Sequence, residues 1–97
     1  MTYTRKLIQA RPSKDVKFFT PSPAAINLVE NYKSLGKILE YKSEMSENDI
    51  VNTITIKFAN EDEYKNYFSK DIIAITSAQE RYDYCMENCI SFNIVVE

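Results

Sequence analysis

From Ile50 to Ala59 the side chains alternate: Ile50, Ile54, Ile56 and Phe58 fall on one face of an extended chain, and Val51, Thr53, Thr55 and Lys57 on the other. A period of two marks a strand with one buried face, because successive side chains point to opposite sides. Asn60 and the acids Glu61, Asp62 and Glu63 follow at once. Asparagine suits a helix N-cap, early acids suit the positive end of the helix dipole, and Glu63 completes a capping-box spacing. A strand that passes directly into a capped helix commits the chain to a sheet with helices packed against it.

The remaining elements fit that commitment. Tyr3 to Arg11 reads as a first strand stopped by Pro12 and Ser13, although Leu7 beside Ile8 spoils its alternation and calls for a bulge near Leu7. Ser22 and Pro23 suit the cap and first turn of a helix that carries Ala25, Leu28, Tyr32 and Leu35 at helical spacing. Gly36, the single glycine, ends it. Lys37 to Met45 reads as a second strand, joined to the third by Ser46-Glu47-Asn48-Asp49. The second helical region carries Tyr64, Tyr67 and Phe68, breaks near 71–76 and restarts at Ser77, with Ala78, Tyr82, Cys85 and Cys89 on one stripe and Asn88 as its stop. Ile90 to Val96 alternates as the fourth strand. The order β-α-β-β-α-β predicts one α+β domain over residues 1–97. Its four-stranded antiparallel sheet takes the order 4-1-3-2, with both helices on one face and right-handed crossovers. The expected core is Leu28, Tyr32, Leu35, Ile54, Ile56, Phe68, Phe92 and Ile94.

Composition narrows function mainly by exclusion. With 44% hydrophobic and 27% charged residues the chain belongs to the globular class. It contains no stretch of the roughly 18 apolar residues a membrane helix needs, and Met1 to Pro12 lacks the apolar region of a secretory signal, so a cytoplasmic protein is expected. There is no histidine, and Cys85 and Cys89 alone cannot close a zinc or iron–sulfur site, so we expect two free thiols, no metal and no cofactor. A lone glycine leaves no phosphate-cradling loop. Abundant Lys, Asn, Ile and Tyr point to an AT-rich microbial or viral genome. Residues 1–43 carry eight basic side chains against three acids and residues 44–97 four against eleven, an asymmetry that predicts either opposed charged faces or two intermixed halves.

The sheet face away from the helices should carry Thr53, Thr55 and Lys57 from the third strand, Ser91, Asn93 and Val95 from the fourth, Glu40 and Lys42 from the second, and Arg5 or Lys6 from the first. Thr53, Thr55, Ser91 and Asn93 are the candidate ligand or dimer contacts. An RNA-recognition domain shares this strand order but stacks bases on aromatic side chains at the positions Thr53 and Thr55 occupy. That substitution and the net charge of -2 argue against nucleic acid.

The segment Lys57 to Phe68 (KFANEDEYKNYF) and the run Arg81 to Glu97 (RYDYCMENCISFNIVVE) resemble the dimeric α+β barrel group of the ferredoxin-like superfamily, which includes the antibiotic-biosynthesis monooxygenases. The resemblance covers element order over nearly the whole chain. It implies a homodimer packed sheet to sheet, and in some members a pocket between sheet and helices used for cofactor-free oxidation or haem breakdown. No catalytic motif carries over.

Without histidine, acid–base chemistry would fall to a buried carboxylate or a phenol. Glu40 and Glu44 share a strand face, as solvated edge charges do, and Tyr32, Tyr64, Tyr67 and Tyr82 sit on helical stripes expected in the core. A self-associating interaction module without catalysis is therefore the first expectation. A small-molecule-binding protein or cofactor-free monooxygenase-like enzyme is the second. The two differ in one observable: a filled interior suits the first and an apolar pocket with a few convergent polar groups suits the second.

Overall fold

The computed structural model describes residues 1–97. Strand β1 (Tyr3–Ala10) leads through a long loop to helix α1 (Pro23–Ser34), then β2 (Ile38–Met45) and β3 (Val51–Phe58). A π-helical turn (Glu63–Tyr67) and a 3-10 turn (Phe68–Lys70) precede helix α2 (Ile72–Glu87) and strand β4 (Ser91–Val96). The sheet order is β2-β3-β1-β4 with every pair antiparallel, the 4-1-3-2 order expected of a ferredoxin-like α+β domain.

Local chemistry sets the helix ends. Ser22 Oγ accepts from the Ala25 amide at 3.3 Å with Pro23 in the first turn, and Asn60 Oδ1 accepts from the Glu63 amide at 2.9 Å. At the end of α1 the Gly36 amide donates to the Lys33 carbonyl and the Lys37 amide to the Tyr32 carbonyl, a Schellman closure that requires the left-handed φ of 74° at Gly36. The same closure ends α2, with the Ile90 amide donating to the Cys85 carbonyl. There the left-handed residue is Cys89, at φ 56°.

Three local expectations change. The second helical region does break, but the new helix starts at Asp71, whose Oδ1 accepts from the Ile73 amide at 2.8 Å, rather than at Ser77. Cys89 consequently lies beyond α2, and the inward line of that helix runs through Ala74, Ser77, Arg81, Tyr84 and Cys85. Tyr82 is turned out, as is Tyr67. No bulge occurs in β1: Leu7 faces the helices opposite Ile54, and Ile8 faces away opposite Thr53. The irregularity lies in β2 between Ile38 and Glu40, which brings Ile38 and Tyr41 onto the same face although an odd number of positions separates them.

Tyr32, Ile38, Ile54, Ile56 and Phe58 form the buried cluster, with Leu28, Tyr64 and Phe68 packed against it. Phe58 meets Tyr64 and Phe68 edge-on at ring distances of 5.2 and 5.3 Å. Leu35, 60% exposed, and Ile94, 41% exposed, belong to the expected core and lie outside the observed one. Leu35 is the C-cap of α1, already past its inward face, and Ile94 lies on an edge strand. No helix is long and apolar enough to cross a membrane.

Candidate functional site

Strand register divides the helix-facing side of the sheet into zones. At one end Tyr3, Phe58 and Ile38 align under the aromatic turn of Tyr64 and Phe68. At the other, Gln9 and Asn52 sit side by side where apolar residues would be ordinary. Gln9 Nε2 donates to Asn52 Oδ1 at 3.1 Å, Asn52 Nδ2 donates to Ser43 Oγ at 2.8 Å, and Arg81 Nη1 donates to Gln9 Oε1 at 3.0 Å. Gln9 Oε1 also receives the Cys85 thiol at 3.7 Å. A polar chain thus runs from α2 across three strands, each buried amide partnered as burial demands.

Between the zones lies a cavity of about 490 Å³. Its floor is Leu7, Tyr41, Ile56, Phe92 and Ile94 from the sheet, and its roof Ala25, Leu28 and Val29 from α1 with Ala74, Ser77 and Ala78 from α2. The roof explains the space: alanine and serine on the helices are too short to reach the strands, so sheet and helices touch through the aromatic end and the Arg81–Gln9 end and leave a gap between them. Arg5 from β1 and Arg81 from α2 both line the cavity. Arg5 stacks over the Tyr64 ring at 4.2 Å, and Arg81 is 7% exposed, covered by Phe19 of the loop between β1 and α1 at 5.0 Å. Burial lowers the Arg81 pKa and raises that of the Cys85 thiol, which keeps it protonated and inert.

Thr53, Thr55, Ser91 and Asn93 all lie on the opposite, open face of the sheet. Thr55 is nearly covered by its neighbours Lys6 and Lys42, whereas Ser91 and Asn93 are exposed. The first strand contributes Lys6 to this face, not Arg5, which points into the cavity wall. Glu40 and Glu44 flank Lys42 at 3.7 and 3.6 Å, as paired surface charges. Lys6–Glu97, Lys14–Asp49 and Lys37–Glu63 join the two differently charged halves of the chain, so basic and acidic residues intermix. Cys85 is buried and Cys89 exposed, and no disulfide joins them.

Two solved structures match over nearly the whole chain. An inferred antibiotic biosynthesis monooxygenase from Deinococcus radiodurans superposes with a TM-score of 0.56 at 9% identity, covering 100% of this chain and 90% of its own. The hydroxynitrile lyase of Passiflora edulis superposes with a TM-score of 0.53 at 14% identity, covering 98% and 93%. The chain shares the ferredoxin-like α+β fold of these structures. No family model matches the sequence, and no curated protein does. At these identities the likeness is one of fold.

Sequence reasoning did not find Gln9, Asn52 or Arg81, and it held a sheet–helix cavity only as what the family resemblance implied. Strand parity held a signal for two of them: Asn52 stands in phase with Ile50, Ile54 and Ile56, and Gln9 in phase with Leu7. A polar residue at an inward strand position needs a partner. Arg81 was hidden by the expected restart at Ser77, which turned Tyr82 inward in its place.

Proposed function

We propose that this protein is a small-molecule-binding domain of the dimeric α+β barrel type, with the sheet–helix cavity as its ligand site. The observation that carries it is the cavity itself: about 490 Å³, mostly apolar, with Arg5, Arg81 and Tyr41 placed around it. That volume falls within the range of ligand pockets. It favours the binding protein over the interaction module with a filled interior. The two structural neighbours are named for different reactions, so the fold supports a pocket and not one chemistry, and the proposal stops at binding.

The test is thermal denaturation of the full chain with neutral apolar probes, 1-decanol and 2-naphthalenemethanol. A ligand at 100 times its dissociation constant stabilises by about 2.7 kcal/mol, which raises Tm by many degrees for a chain of this size. Ala74→Phe, which places a ring in the gap, should abolish the shift. No shift with either alcohol, nor with the matching acids decanoate and 2-naphthoate, up to their solubility would sink the proposal.

A homodimer formed through the open sheet face belongs to the same proposal. The helices leave that face bare, and Ile8, Val51 and Val95 lie on it among the threonines. Two-fold pairing is the commonest way a small domain covers such a surface.

A further inference from the structure

A positive charge buried in protein is costly unless an anion compensates it, and the desolvation cost amounts to several kcal/mol. Arg81 meets that cost in an incomplete way. It is 7% exposed in the middle of α2, and no carboxylate lies within 4 Å of its guanidinium among the ion pairs of the molecule. Its side-chain hydrogen bond goes to Gln9 Oε1, a neutral amide oxygen, which leaves most of its five donors for other groups. Arg5, also in the cavity wall, has the Tyr64 ring in place of an acid. The one carboxylate on the lining, Glu30, belongs to an exposed residue and lies 3.7 Å from Lys33. Two guanidinium groups without acidic partners thus border a space whose lining is hydrophobic at 15 of 22 residues.

Resting on the reading of the cavity as a ligand site, we infer that its ligand is an apolar organic anion: a hydrophobic body with a single carboxylate or ionised phenol, the charged group held by Arg81. A polyanion such as a nucleotide does not fit, because so apolar a wall could not solvate several charges. A neutral hydrocarbon would leave Arg81 uncompensated. A single anionic head on a hydrophobic body satisfies both parts of the site, since charge-assisted hydrogen bonds to a guanidinium fork are the strong ones and form best away from water.

The experiment compares two acids with the alcohols that match them in shape, by calorimetric titration of the full chain: decanoate against 1-decanol, and 2-naphthoate against 2-naphthalenemethanol. Each acid is expected to bind at least about tenfold more tightly than its alcohol at neutral pH, and Arg81→Gln to erase that preference while alcohol affinity stays within about threefold. The wild-type comparison needs no variant to fold, and circular dichroism checks the variant. Equal affinities for acid and alcohol would overturn the anion inference while leaving the cavity as a ligand site. A preference that survives in folded Arg81→Gln would overturn the assignment to Arg81. No binding by any of the four would overturn the ligand site and the inference together.

Discussion

At the scale of single residues, the most informative positions are those whose environment conflicts with their type. Cys89 holds a left-handed conformation with a side chain, at φ 56°, where the matching position after α1 is Gly36. Left-handed backbone costs a residue with a Cβ roughly 1–2 kcal/mol, partly offset by the greater chain entropy glycine brings to the unfolded state. Cys89→Gly is therefore expected to stabilise the fold by about 0.5–1 kcal/mol in urea denaturation; a destabilised variant would show that the thiol has a packing role. Tyr32 conflicts in another way. Burial, with Asp71 and Glu63 nearby, raises its phenol pKa, so the folded protein holds that proton more tightly than the unfolded chain does. Stability from this source is complete below about pH 10 and is lost as pH rises through the folded-state value. As pH rises above about 10, Tyr32→Phe should lose less stability than wild type, and equal losses would remove Tyr32 from the alkaline transition.

At the scale of elements, α2 is held to the sheet by polar as well as apolar contacts. Its two buried residues are Arg81 and Cys85, and both reach Gln9 on β1. Gln9 in turn satisfies Asn52 on β3, so one side chain ties three elements. Gln9→Leu preserves approximate volume but leaves the Arg81 donor and the Asn52 acceptor without their partner inside the protein. The expected loss is about 3 kcal/mol, the upper range for orphaned buried polar groups. Chemical denaturation measures it directly, and a loss under about 0.5 kcal/mol would mean that water replaces the amide. The boundary of α2 follows the same pattern of local chemistry deciding geometry: Asp71 accepts from the Ile73 amide and so starts the helix well before Ser77.

At the scale of the whole molecule, the proposed homodimer has two candidate surfaces. The open sheet face presents Thr53 beside Ile8 and Glu44, with Asn93 on the far side of Ile8. The outer face of α2 presents Ile72, Tyr82 and Met86, all more than half exposed. Pairing through the sheet predicts that Thr53→Arg dissociates the dimer while Met86→Glu leaves it intact, both read by light scattering at high micromolar concentration. Thr53 suits the test better than Thr55, where an arginine would stand between Lys6 and Lys42 and disturb the protomer itself. A monomeric wild type, or dissociation by Met86→Glu alone, would rule the sheet out.

The sequence by itself determined the element order and the faces of β3 and β4, because these follow from local signals: a period of two in Ile50–Phe58, a capping serine with Pro23, a glycine at position 36, an asparagine at position 60; the sheet order then followed from the element order through the split β-α-β plan. It also placed Thr53, Thr55, Ser91 and Asn93 together on one face, since strand parity is a property of the chain alone. Only the tertiary structure decided where the β2 irregularity falls, which face of α2 turns inward, and that Arg81 meets Gln9 across 72 positions of sequence. Those outcomes depend on what stands opposite. The cavity is the clearest case: Ala25, Ala74 and Ala78 are unremarkable helix formers in sequence, and they leave a space only because two helices bring them over the same stretch of sheet.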